Sequence, residues 1–347
     1  MDLLTLIVFG AAVGEYLLGK KVGYRGAFWG AIVSLIPELD RLAVFFGGEV
    51  AGLVLRQTVT HSLLIAVLLA PVMGHAINRL YRGQYAQARD WAWLVWWVWV
   101  VHLMLDACTV WGPQLLYPMS TYRLSLGILS ALDPLLITPV LIWLLIALRA
   151  AQTSANRRLW NGIGLVLAGA YFALSLANRA AAESIFKAAL HNTGRSTQRY
   201  IVAPTPSNTL YWYVVAEGPD QYEVGYYSIL ADERNINFTR IPRRYGLPDS
   251  IPAPDGLDQL IQRGYSTLDY QGDTLYWHDQ LYGLLPGQAG PPAPTPWLMS
   301  LRWTRTDTVW EAPSRLEAPH WLASPDMRPF MWDRILGRPQ GRSSVTR

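Results

Sequence analysis

The chain has 347 residues, 51% of them hydrophobic and 16% charged, with a formal net charge of +4. A charged share well below the roughly 25% of soluble domains excludes a disordered chain, and so small a net charge over this length argues against a nucleic-acid partner. A single cysteine, Cys108, excludes an intrachain disulfide framework and a cysteine-based zinc module.

The mean hydropathy of +0.15 averages two unlike halves. Residues 1–180 hold only eight of the 25 acids (Asp2, Glu15, Glu38, Asp40, Glu49, Asp90, Asp106 and Asp133) and 6 of the 23 prolines. Apolar runs near 3–19, 26–46, 59–78, 91–110, 126–148 and 160–178 have the length of membrane spans, about 17–25 residues, and predict six of them. The first does not read as a cleaved signal peptide, because Lys20 and Lys21 follow it rather than precede it. Cationic residues set the orientation. Lys20, Lys21, Arg25, Arg79, Arg82, Arg89, Arg149, Arg157 and Arg158 lie in one set of connections, against Arg41, Arg56 and Arg123 in the other. Nine against three predicts an N-terminus outside and, with six spans, a C-terminus outside too.

Ionisable residues in membrane segments are costly and mark functional interiors. Here they converge on one depth. Glu38 and Asp40 close the second run, His61 opens the third, and His102 and Asp106 lie near the end of the fourth. The i, i+4 spacing of the last two puts them on one helical face. Asp133 precedes Pro134 at the mouth of the fifth, with Arg123 upstream. Two imidazoles with several carboxylates suit a divalent cation, zinc first, with manganese or iron as alternatives. A metal-free proton relay is the other reading. Plainer roles exist for some of these groups. Asp133-Pro134 has the form of a helix N-cap with Pro at the first helical position, and Arg123 suits an interfacial anchor. Glu15 and His75 lie away from the cluster, and the Trp91–Trp99 run reads as an aromatic belt with packing.

The order of Met1-Asp2-Leu3-Leu4-Thr5, Pro37-Glu38-Leu39-Asp40, Thr60-His61-Ser62-Leu63-Leu64 and His102-Leu103-Met104-Leu105-Asp106, followed by Thr109, Gly112, Pro118 and Arg123, resembles the LexA-regulated, membrane-bound, metal-dependent hydrolase family of bacterial inner membranes. The resemblance covers about residues 1–150, and Pro204-Thr205-Pro206-Ser207-Asn208 with Trp212 resembles a C-terminal extension found in members. It implies a multi-span protein with a metal site at Asp40, His61, His102 and Asp106, supported by Arg123, Asp133 and Thr60. Glu38 is then a further ligand or the general base. Three positions depart from the family pattern. Leu6 stands where His is usual, Glu38 where Asp is usual, and Arg56 where a second His is usual. Two imidazoles are lost, which leaves donors for one metal. Arg56, like Arg123, is then a candidate to bind an anionic substrate group, or the fold persists without catalysis.

From about residue 188 the pattern changes to short aromatic and β-branched runs: 199–202, 210–215, 222–229, 274–278, 280–285 and 298–304. With Gly218-Pro219 as a turn, they predict a small, mostly antiparallel β domain over 188–336. Residues 255–263 suit one helix, 287–296 a Pro/Gly/Ala loop, and 337–347 a disordered tail. His191, His278 and His320 are too scattered for a site. The expectation is therefore an α-helical polytopic membrane domain followed by an extracytoplasmic β domain. The functional expectation is a metal-dependent hydrolase at the outer leaflet, its partners the bilayer and a lipid-linked ester or phosphoester. The alternative is a catalytically degenerate scaffold or binding protein.

Overall fold

The computed structural model describes residues 1–192, 197–232, 236–243, 247, 251–281, 299–307, 309–317 and 332–337. They form two compact units. One comprises Met1–Phe46, Leu55–Leu176 and Pro206–Asn208; the other comprises Gly47–Val54, Ala177–Thr205 and the chain from Thr209.

The first unit is helical. Helix α1 (Leu3–Val22) starts where the Asp2 side chain accepts from the Thr5 amide at 3.0 Å, an N-cap. It packs on α2 (Arg25–Leu35) through two facing pairs of small residues. Gly10 and Gly14 lie against Gly30 and Gly26 so closely that a Cβ on any of the four would meet the opposing backbone. This small-xxx-small packing lets two backbones approach where larger side chains would hold them apart. Pro37 then ends α2. The chain continues as a 3-10 turn over Pro37–Leu42 and as α3 (Ala43–Val54), itself broken at Gly48, where φ is 72°.

Helices α4 (Leu63–Leu80) and α5 (Ala88–Ala107) form an antiparallel pair, with Gly74 against Ala92. Gln87 and Asp90 make a reciprocal capping box at the start of α5. Helix α6 (Pro134–Arg149) follows, capped by Asp133. Helix α7 (Ala155–Asn192) is a continuous 38 residues, roughly 57 Å at 1.5 Å per residue. The expected six spans are not what forms. Among the described residues, three helices are long and apolar enough to cross a membrane: α1, α4 and α7. Helix α6 is apolar but has 16 residues, short of the roughly 20 a span needs. Helix α5 is long enough but carries Arg89, Asp90, His102 and Asp106. The expected span 26–46 fails as a single helix because Pro37 interrupts it.

Contacts gather the cationic connections at one end of this unit. Lys21 ion-pairs with Asp90, Gln152 donates to the Lys20 and Lys21 carbonyls, and Arg25 donates to Tyr85 at 3.0 Å. Buried Arg157 pairs with Glu15, giving the latter a structural partner.

In the second unit, strands β1 (Arg199–Pro204), β2 (Tyr211–Glu217), β3 (Gln221–Ser228) and β4 (Thr239–Pro242) form an antiparallel sheet in that order. Trp212, Val214, Ala216 and Tyr227 pack with Ala182, Phe186 and Leu190 of α7. Helix α8 (Leu257–Gln262) leads to a second antiparallel sheet of β5 (Ser266–Gln271), β6 (Thr274–Asp279), β7 (Met299–Thr306), β8 (Val309–Trp310) and β9 (Ser314–Glu317). Its inner residues Leu275, Trp277, Leu301 and Trp303 are fully buried. The Tyr213 hydroxyl ties the sheets by donating to the Leu281 carbonyl at 2.6 Å. The antiparallel β fold is as expected, with β4, β5, β8 and β9 in addition. Gln280 and Leu281 are not strand; the expected loop 287–296, the rest of the 280–285 run, and residues 338–347 of the expected tail lie outside the described residues.

Candidate metal centre

Three elements of the helical unit bring four polar residues to one point. Helix α5 presents His102 and Asp106 one turn apart, with His102 Nε2 3.2 Å from Asp106 Oδ2. The 3-10 turn after Pro37 supplies Glu38. A second 3-10 turn, Val59–His61, supplies His61, and Ser62 then caps α4. Thr60 holds the two turns together, its hydroxyl donating to the Pro37 carbonyl at 2.6 Å. The Trp99 indole N–H donates to the Thr60 carbonyl at 3.2 Å, fixing both turns to α5. Thr60 thus supports the site without entering it.

Each imidazole is oriented from its outer edge. Nδ1 of His102 lies 2.8 Å from the Ser34 carbonyl, which can only accept, so this nitrogen carries the proton. Nδ1 of His61 faces Asp40 Oδ2 at 3.1 Å. Both Nε2 atoms are turned inward, 3.2 Å from each other, and in the neutral rings they present lone pairs. His61 Nε2 is 3.1 Å from Asp106 Oδ2. Glu38 Oε1 stands 3.8 Å from His102 Nε2. Glu38, His61, His102 and Asp106 are all buried, and their inward atoms lie within 4.8 Å of one another.

With both rings in the neutral form that metal ligation requires, the inward atoms are all acceptors. Asp106 Oδ2 and Glu38 Oε1 are buried without a hydrogen-bond partner, and burying unpaired carboxylate oxygens is costly. A cation at the centre resolves the conflict. Ligand bonds of 2.0–2.1 Å to zinc imply tetrahedral ligand–ligand separations of about 3.3 Å. The triangle of His61, His102 and Asp106, with edges of 3.1, 3.2 and 3.2 Å, matches that size. Glu38 is set back from it. The donor set therefore fits a divalent ion such as zinc.

Asp40 is not at the centre, as had been expected of a ligand. It sits on the outer edge of His61, where it also accepts from the Gln57 amide. In a 3-10 turn, with three residues per turn, positions two apart point in different directions; Glu38 faces inward and Asp40 does not. Asp133 is also outside the cluster. Its Oδ1 accepts from the Leu135 amide at 3.1 Å and its Oδ2 from the Tyr171 hydroxyl at 2.6 Å, so it caps α6. Arg56 and Arg123 flank Trp111, their guanidinium carbons 5.4 and 6.0 Å from its ring. Arg123 donates to the carbonyls of Gly112 and Arg56 at 3.1 and 3.0 Å, a loop-bracing role. Leu6 is buried in the apolar core and offers no donor for a second metal.

Besides the Ser34 carbonyl, two charged groups at the site were not read from the sequence. Arg41 ion-pairs with Glu38 Oε2, and the Met1 amino group ion-pairs with Asp106 Oδ1, leaving Oδ2 to face the centre. The i, i+3 spacing of Glu38 and Arg41 was the available signal for the first.

No curated protein and no solved structure matches the chain. A model of the YdjM inner membrane protein family matches residues 1–182, which include every residue of the cluster. The chain belongs to the YdjM inner membrane protein family.

Proposed function

We propose that this chain is a metal-dependent hydrolase of the inner membrane, holding one divalent ion and acting on a lipid-linked ester or phosphoester. The observation that carries this reading is the convergence of two imidazole Nε2 atoms and two carboxylate oxygens on one buried point. His61, His102 and Asp106 would hold the ion, with Glu38 set back from it and facing its open side. Asp40 and the Ser34 carbonyl hold the two rings in the tautomer that ligation requires. Held by these residues, a divalent ion would supply Lewis acidity toward an ester or phosphoryl oxygen and a nearby water. Glu38 is the group placed to accept that water's proton.

The cationic end of the helical unit suits the cytoplasmic face by the positive-inside rule, and the cluster then lies toward the outer leaflet. The same rule puts the N-terminal end of α7, with Arg157 and Arg158, inside and the β region outside. A second reading, a non-catalytic member serving as a scaffold or binding protein, is favoured by Leu6 and Arg56 standing where the resembling family carries histidine. The two separate in one assay. Zinc-loaded protein in nanodiscs, given phosphate-ester and carboxylic-ester lipids, is expected to release phosphate or fatty acid, and His61→Ala to abolish release. Bound zinc with no release from any lipid would favour the second reading.

A further inference from the structure

Glu38 is held in two directions at once. Its Oε2 pairs with Arg41, while its Oε1 faces the metal cluster from 3.8 Å, farther than the 3.1–3.2 Å that separate the other three donors. Arg41 is also the one arginine, among those singled out above, that touches a cluster residue. Arg56 and Arg123 are engaged with Trp111. The Arg41 side chain is 38% exposed whereas that of Glu38 is 7% exposed, so Arg41 reaches the surface from a buried cluster residue. Its Nη2 donates to the Met1 carbonyl at 3.3 Å, a second hold on the guanidinium beside the Glu38 pair.

A carboxylate bridging a guanidinium and a metal-binding triad occupies the position an incoming oxyanion would take. The guanidinium and a divalent ion held by the triad would recognise the same feature, a planar or tetrahedral anion offering two oxygens. Resting on the metal reading above, we propose that Glu38 is a displaceable placeholder. Arg41, together with the triad of His61, His102 and Asp106, forms the receptor for a substrate oxyanion, phosphoryl or carboxylate. One oxygen of the anion takes the Arg41 guanidinium and another takes the fourth position at the metal. The displaced Glu38 carboxylate, relieved of both partners, is then free to accept the proton of water. Arg41 is thus the specificity residue for the anionic group.

The test uses full-length protein in detergent loaded with cobalt(II), whose visible spectrum reports its coordination. Cobalt is titrated first, then inorganic phosphate, and separately acetate. Wild type is expected to bind one cobalt and to change spectrum with an oxyanion; the tighter of phosphate and acetate names the class. Glu38→Gln removes the competing charge and is expected to bind that anion about tenfold tighter at unchanged cobalt content. Arg41→Gln is expected to bind it about tenfold more weakly, again with cobalt retained, and Arg41→Lys to recover only part of that loss. Loss of cobalt in Glu38→Gln would show a fixed ligand and overturn the proposal. Anion affinity within about twofold of wild type in both Glu38→Gln and Arg41→Gln would overturn it too. A wild type that binds no cobalt would instead overturn the metal reading on which the proposal rests.

Discussion

Asp40 and Glu38 lie two residues apart in one 3-10 turn, yet they serve opposite edges of the same cluster. Glu38 faces the inward nitrogen of His102, and Asp40 sits 3.1 Å from the outward nitrogen of His61. A carboxylate behind a ligating imidazole fixes its ring and raises its basicity, and loss of such a partner typically weakens metal binding by about 10–100-fold. Asp40→Asn keeps an acceptor for the ring N–H and removes only the charge. It is expected to weaken zinc affinity by about tenfold at full stoichiometry, and Asp40→Ala by up to about a hundredfold. Competition against a chelator of known affinity measures both.

The Gly10/Gly14 and Gly26/Gly30 contact sets the position of α2 and therefore of the Ser34 carbonyl that orients His102. Gly14→Val and Gly30→Val would drive side chains into the opposing backbone. Each is expected to cost at least the roughly 1–3 kcal/mol of an overpacked core, read as a lower midpoint in thermal denaturation in detergent. Gly169→Ala is the control. Nothing lies within 4 Å of a Cβ there, so this variant is expected to match or slightly exceed wild type.

The β unit carries its own pH response. His278 is buried on β6, its Nδ1 2.7 Å from the Ser300 hydroxyl, and burial pushes its pKa from 6.5 down to about 4. The folded state thus binds fewer protons than the unfolded chain between these values. Stability from this residue is complete above pH 6.5 and is lost as pH falls toward 4, by about 3 kcal/mol in all. Tryptophan fluorescence during denaturation at pH 7 and pH 4.5 should show the loss. His278→Gln should flatten its pH dependence across that window.

Membrane sidedness has a direct check. If the β region is extracytoplasmic, protease added to intact spheroplasts cleaves it and leaves a fragment containing α1–α7. Cleavage confined to inverted vesicles would place the region on the cytoplasmic side and reverse the proposed orientation.

Much of the architecture was legible because it rests on side-chain periodicity. The His102–Asp106 pair follows from helical spacing alone, and β2 and β3 follow from dense runs of Tyr, Trp and Val. Strand β5 was not legible. Its Ser266 and Thr267 are buried, so the usual polar-out alternation is missing. The span count failed because hydropathy averages over breaks, and Pro37 splits an apolar run into α2, a 3-10 turn and α3. Helix α7 shows the reverse error. The apolar run fades near residue 178, but the helix continues to Asn192 because Ala182, Phe186 and Leu190 pack on the first sheet. The glycine pairs of α1 and α2 went unread, although each has the G-x-x-x-G spacing of a close helix contact. At the site, the inward turn of Glu38 and the role of the Ser34 carbonyl had no sequence signature, because both depend on backbone geometry.

The central claim is that His61, His102 and Asp106 hold one divalent ion. The most direct measurement is zinc stoichiometry of the detergent-purified protein after equilibrium dialysis, with X-ray absorption at the zinc edge. The account predicts about one zinc per chain, with imidazole nitrogens and carboxylate oxygen at about 2.0–2.1 Å, and loss of that zinc in both His61→Ala and His102→Ala. A folded wild type that retains no zinc, manganese or iron, or one whose zinc survives both substitutions, would contradict it.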